Sequence, residues 1–124
     1  MHAFKPLSHI ILVSLLAIAC THALPTLDGM DLTLWKEDRN GCKGHRAKMV
    51  EALTKEKEKL KALREMEVVQ LLGRPDENDL LERNQKSYVY FLGPGPACTG
   101  PSGEPRQLVL RINATGLVKE TMIK

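Results

Sequence analysis

Apolar residues crowd the start of the chain. Ile10 to Cys20 is an almost unbroken run, Ile-Ile-Leu-Val-Ser-Leu-Leu-Ala-Ile-Ala-Cys, behind a short segment with one cation, Lys5. As a helix that run spans roughly 16 Å, against the roughly 30 Å of a hydrocarbon core. It reads as the apolar region of an export signal and not as a membrane span. Residues 1–19 are therefore set aside as a signal peptide, 20–30 as an anchor and tether, and 31–124 as one domain.

Past the leader the pattern changes twice. Leu32, Leu34 and Trp35 form a small apolar cluster expected to dock on the domain, and Asp38-Arg39-Asn40-Gly41 is a turn signal. From Lys43 to Leu63 the apolar positions Met49, Leu53, Leu60 and Leu63 fall on one helical face. The stripe has a gap at Glu56, and the run Lys55-Glu56-Lys57-Glu58-Lys59 interleaves both signs, as a solvated face does. A second helix is predicted from Arg64 to Leu72, with Gly73 just past its end and Pro75 stopping it. Asp76 to Asp79 reads as a polar turn.

Strands fill the rest. Leu80-Leu81-Glu82 is a candidate short strand. Ser87 to Leu92 places Tyr88, Tyr90 and Leu92 on one face and Val89 and Phe91 on the other. Gly93 to Pro105 is a loop rich in Pro and Gly. Gln107–Ile112, the connection Asn113-Ala114-Thr115-Gly116 and Leu117–Ile123 form an antiparallel hairpin. Asn113-Ala114-Thr115 also fits a glycosylation acceptor, but is read as turn chemistry. The expectation is an α+β fold: two N-terminal helices packed on a three- to four-stranded antiparallel sheet.

Charge narrows the function. With 18 Lys and Arg against 15 Asp and Glu, the formal charge of +3 over 124 residues excludes a nucleic-acid binder driven by phosphate neutralisation. No G-x-S-x-G, H-E-x-x-H or phosphate-cradling G-x-x-x-x-G-K occurs. His45 is the only histidine of the expected domain, and a general base needs placed partners. Asp38 to Gly41 resembles the start of a calcium loop, but the remaining oxygen ligands are missing. A non-catalytic protein is expected, with no metal, no cofactor and no evident small-molecule substrate.

The cysteines carry the rest. Ala17-Ile18-Ala19-Cys20 resembles a bacterial lipobox, in which the Cys20 sulfur takes a diacylglycerol and becomes the first mature residue. Several acyl chains, at about 0.8 kcal/mol per buried CH₂, anchor stably. The alternative is ordinary cleavage after Ala23, where Thr21-His22-Ala23 has small residues at the needed offsets. Either cut leaves Cys42 and Cys98. In an oxidising compartment these can pair, closing a loop worth on the order of 3–4 kcal/mol. The alternative is two separate buried thiols.

Val68-Val69-Gln70-Leu71-Leu72-Gly73-Arg74-Pro75, Tyr88-Val89-Tyr90-Phe91 and Leu108 to Val118 together resemble the SmpA/OmlA (BamE-like) outer-membrane lipoprotein family. They correspond to its V-x-x-L-L-G-x-P helix ending, its aromatic strand and its final Asn-x-x-Gly hairpin. The resemblance covers roughly residues 60–123, with the lipobox in front. Ala62-Leu63-Arg64 stands where the family has Gly-Met-Ser/Thr, so no side-chain oxygen caps the helix there. The resemblance implies a lipid-anchored envelope protein assisting outer-membrane protein assembly, with the membrane and an envelope protein as partners. The fold is also similar to the halves of secreted β-lactamase inhibitor proteins, an analogy of fold. In the lipid-anchored reading Tyr88 and Tyr90 are the candidate partner contacts, because aromatics dominate interface energetics; the alternative is that those rings are core.

Overall fold

The computed structural model describes residues 23–100 and 103–124. The signal peptide and Cys20 lie outside the described residues. The fold is α+β, with three short helices and a four-stranded antiparallel sheet in the order β1-β2-β3-β4.

The domain begins earlier than position 31. Leu27 is buried, and Leu24 and Met30 pack against the same core, so the second half of the expected tether belongs to the folded unit. Helix α1, Leu32–Glu37, follows. Its N-cap is Asp31, whose carboxylate accepts from the Thr33 and Leu34 N–H groups at 3.1 Å each. The apolar cluster at 32, 34 and 35 is thus a helix, a third one that apolar spacing alone misses in so short a segment. Trp35 is fully buried and its indole N–H donates to the Leu72 carbonyl at 3.1 Å.

The long helix expected over 43–63 is broken. A 3-10 turn, Arg46–Met49, leads into α2, Val50–Glu56, which tightens again into a 3-10 turn, Lys57–Leu60. The predicted stripe holds: Met49, Leu53, Leu60 and Leu63 are all buried. The helix ends because tertiary bonds claim the backbone. The Ala62 N–H donates to the Val118 carbonyl at 2.8 Å and the Val118 N–H to the Leu63 carbonyl at 2.9 Å. The charge run is locally paired and exposed at Lys55, Glu58 and Lys59, with Glu56 largely buried and the Glu58 pKa held down to about 2 by hydrogen bonds from Lys57 and Lys61.

Helix α3, Glu65–Leu72, lies where the sequence places it. Arg64 supplies no capping oxygen, as expected. Instead the Glu67 carboxylate accepts the Arg64 N–H at 3.1 Å. Gly73 ends the helix with φ +79, a conformation costly to any residue with a Cβ.

Strand β1 is Glu77–Leu80, displaced from the expected Leu80–Glu82, so most of the polar turn is a strand. Pairing with β2 overrides the poor strand propensity of Glu, Asn and Asp. Strands β2, Lys86–Phe91, β3, Gln107–Ile112, and β4, Val118–Ile123, match the sequence within a residue. A bulge at Arg111/Ile112 precedes the hairpin. There the Asn113 side chain accepts from Thr115 N–H, Thr115 hydroxyl and Leu117 N–H, the turn chemistry read from the sequence.

One buried cluster joins Trp35, Leu53, Leu60, Val68 and Leu72 to Tyr88, Tyr90, Leu108, Leu110 and Ile112 of the sheet. Val89, Phe91 and Val109 form a second, smaller cluster on the opposite sheet face. That division is the period-2 alternation of β2 and β3.

Candidate functional site

Polar residues gather in the interior where the 38–46 segment meets β2. The Arg46 side chain is 1% exposed and that of Asp76 is 0% exposed. Arg46 Nη1 donates to Asp76 Oδ2 at 2.7 Å and to the Phe91 carbonyl at 3.3 Å, and Nε donates to the Trp35 carbonyl at 3.0 Å. Its guanidinium lies 4.7 Å from the Trp35 ring centre and 5.8 Å from that of Tyr90. Asp76 also accepts the Asn40 N–H at 3.0 Å and the Phe91 N–H at 2.8 Å. Asp38, fully buried, accepts the Lys43 N–H at 2.6 Å and the Arg46 N–H at 2.9 Å. Arg39 Nε stands 3.8 Å from the far oxygen of Asp76. Asp76 is thereby paired with Arg46 and Arg39, and Asp38 is held by backbone N–H groups alone.

This corrects the exposed-turn reading of Asp76. The residue is a buried hub, because its carboxylate takes the Phe91 N–H that a further β1 carbonyl would otherwise take. Asp38 likewise belongs to no ion site: both oxygens hold the backbone of the segment that follows. The group is a fastener. A buried ion pair adds little net stability, but losing one partner strands the other in a medium that solvates it poorly.

The two candidate contact tyrosines are interior. Tyr90 is 0% and Tyr88 5% exposed, both on the sheet face that joins the main core. The Tyr90 hydroxyl donates to the Gly73 carbonyl at 2.8 Å, closing the end of α3 onto β2. The Tyr88 hydroxyl donates to the Glu65 carboxylate, which also takes the Lys86 ammonium at 2.9 Å. Burial raises both phenol pKa values, with Glu65 raising that of Tyr88 further. Hydrogen bonds from Tyr88 and Lys86 lower that of Glu65. The correction is physical: this face joins Trp35, Leu53, Leu60, Val68 and Leu72 in one buried cluster, so a ring pointing there is core, and neither tyrosine presents a partner surface.

Cys42 and Cys98 are bonded to each other, with Cα atoms 5.5 Å apart. Neither is a free nucleophile for His45 to activate. The bond ties the Pro/Gly loop to the 38–46 segment, and the Gly95 N–H donates to the Asn40 carbonyl at 2.8 Å beside it. Gly41, at φ +67, lies so close to the Gly93 carbonyl that any side chain would collide with it. The loop passes Phe91 near one end of an open groove lined by Glu77, Phe91, Pro96, Pro105, Arg106 and Lys124.

Among the described residues no group of three or more His, Cys, Asp or Glu is arranged to hold a metal ion. No helix among them is long and apolar enough to cross a membrane. Arg46, Asp38 and Asp76 escaped the sequence reading. Nothing in their spacing announces a contact across 30 residues, although an Asp directly after Gly73-Arg74-Pro75 and before a strand was a position to question. No family model, no curated protein and no solved structure matches this chain.

Proposed function

We propose that this chain is a non-catalytic interaction module of the cell envelope, held there by a diacylglycerol on Cys20. In this reading its helices form one layer over the sheet, as in the SmpA/OmlA family, and it assists outer-membrane protein assembly. The observation that carries the reading is the Cys42–Cys98 bond, since such bonds persist in oxidising compartments outside the cytoplasm. The Ala17-Ile18-Ala19-Cys20 run behind an apolar segment supports the anchor. The interior polar groups support a binding role over catalysis, because Asp38, Asp76 and Arg46 are sealed from solvent, with both carboxylates holding backbone N–H groups and Arg46 bound to Asp76 and to backbone carbonyls.

The anchor would hold the domain close. Only Thr21, His22 and Ala23 separate Cys20 from the packed Leu24, a reach of roughly 14 Å at most when extended. A second reading is a secreted module released by cleavage after Ala23. It is favoured by the packing itself, since a chain starting at Leu24 keeps every core residue among the described ones.

Fatty-acid labelling and the intact mass of the mature N-terminus separate the two. The anchor reading expects a diacylated Cys20 and loss of membrane sedimentation in Cys20→Ser. An unmodified Leu24 start supports the secreted reading and defeats the anchor.

A further inference from the structure

The sheet ends in two edge strands that are finished differently. β4 is covered at its start: Val118 exchanges backbone hydrogen bonds with Ala62 and Leu63, Leu117 bridges Arg64, and further along the Thr121 hydroxyl lies 3.5 Å from Glu58. β1 is bare, with every residue exposed.

The hydrogen-bond alternation fixes which groups β1 offers. On β2, the Leu92 N–H bonds towards β3, at the Arg106 carbonyl. The Val89 and Gln85 carbonyls bond towards β1, accepting from Asp76 and Leu81. Odd positions of β2 therefore face β1, and the register sets Glu77 and Asp79 opposite Val89 and Ser87. It follows that the N–H and C=O groups of Asn78 and Leu80 point outward, as an open ladder.

The side chains around that ladder have a pattern. Leu80 is 80% exposed, Leu81 42% and Met66 72%. Leu80 pairs with Lys86, whose ammonium reaches Glu65, the neighbour of Met66 in the chain. Leu80 thus lies on the face that carries Lys86. Glu77 and Asp79 project to the other face, and among the described residues neither makes an ion pair. A second copy paired antiparallel through β1 would set carboxylate against carboxylate, which is unfavourable across strands.

We propose that the β1 edge is a docking site for an extended segment of another protein, in which basic residues alternate with apolar ones. The incoming strand bonds to the outward groups of Asn78 and Leu80. Its cations lie beside Glu77 and Asp79, and its apolar side chains lie beside Leu80. This deepens the interaction-module reading by naming the partner's chemistry, and it needs no lipid.

The test uses the full chain carrying Cys20→Ser, titrated with two short peptides, one alternating valine and lysine, the other valine and glutamate. The lysine peptide is expected to bind about tenfold more tightly at low salt. It should slow amide exchange at Asn78 and Leu80 and leave Thr121 and Ile123 unchanged. Leu80→Pro should abolish binding, since proline removes an outward N–H and spares the inward bonds of Glu77 and Asp79. The double variant Glu77→Lys with Asp79→Lys should reverse the peptide preference, and it serves if the proline variant does not fold. Equal binding of both peptides, no slowing at Asn78 and Leu80, or an unreversed preference in the double variant overturns the proposal. So does a dimer formed through β1 without peptide, which would assign the edge to a second copy. Failure here leaves the anchor to be judged by labelling of the unaltered chain, so the two readings fail separately.

Discussion

Asp76 and Asp79 are close in the chain and opposite in circumstance. Asp76 is sealed in the interior with a guanidinium and two backbone N–H groups on its carboxylate. Asp79 sits on an edge strand with every residue exposed. The same side-chain chemistry fastens the fold at one place and is left facing water at the other. Burial makes the difference: a carboxylate in the interior persists only when its lone pairs are occupied, and one in water needs no partner. Stability should therefore concentrate on the fastened side, and freedom to bind on the bare one.

The largest test of that contrast is Asp76→Ala. Stranding Arg46 in the interior should cost about 3–5 kcal/mol, read as a lowered denaturant midpoint. Arg46→Met should cost a similar amount, because it strands Asp76. Breaking the disulfide comes next. Cys42→Ser with Cys98→Ser frees a loop spanning 56 positions and should cost about 3–4 kcal/mol in chemical denaturation, with the Pro/Gly loop gaining mobility by NMR.

A smaller effect concerns the tyrosines. Tyr90→Phe removes the hydroxyl bond to Gly73 and should cost about 1 kcal/mol. It also carries a pH signature. Burial raises the Tyr88 and Tyr90 pKa values above the unfolded value of about 10, so the native state holds these protons longer than the unfolded state does. Their contribution is complete below that value and falls away as pH rises past it. Alkaline unfolding, followed by circular dichroism, should be shallower in Tyr90→Phe than in the parent. Smallest of all, Glu77→Ala and Asp79→Ala should each change stability by less than about 0.5 kcal/mol, measured the same way.

The sequence made some of this legible and not the rest, for physical reasons. Apolar periodicity located β2, β3, β4 and α3 because each sends a regularly spaced set of apolar side chains into the main core. The buried stripe of Met49, Leu53, Leu60 and Leu63 was right even though the helix carrying it was not continuous. Periodicity reports which side faces inward, not whether hydrogen bonds run unbroken along the axis, and the bonds from Ala62 and Leu63 to Val118 are long-range. Strand β1 was displaced because edge strands form by pairing, which leaves no apolar alternation to read. The cysteine pair was open from count alone, and the bond between Cys42 and Cys98 resolves it. Tyr88 and Tyr90 were correctly placed on one face. Whether that face met solvent or the rest of the core was a question of packing. The fastener was illegible altogether, since Arg46 and Asp76 meet only once β2 and the 38–46 segment are in place.

Native-state amide exchange on the full chain, resolved residue by residue, tests the contrast most directly. The account predicts that the amides of Phe91 and Arg46, bound to Asp76 and Asp38, exchange only through global unfolding. It predicts that the outward amides of Asn78 and Leu80 exchange almost as fast as those of an unstructured peptide. Equal protection at Leu80 and Phe91 would contradict it.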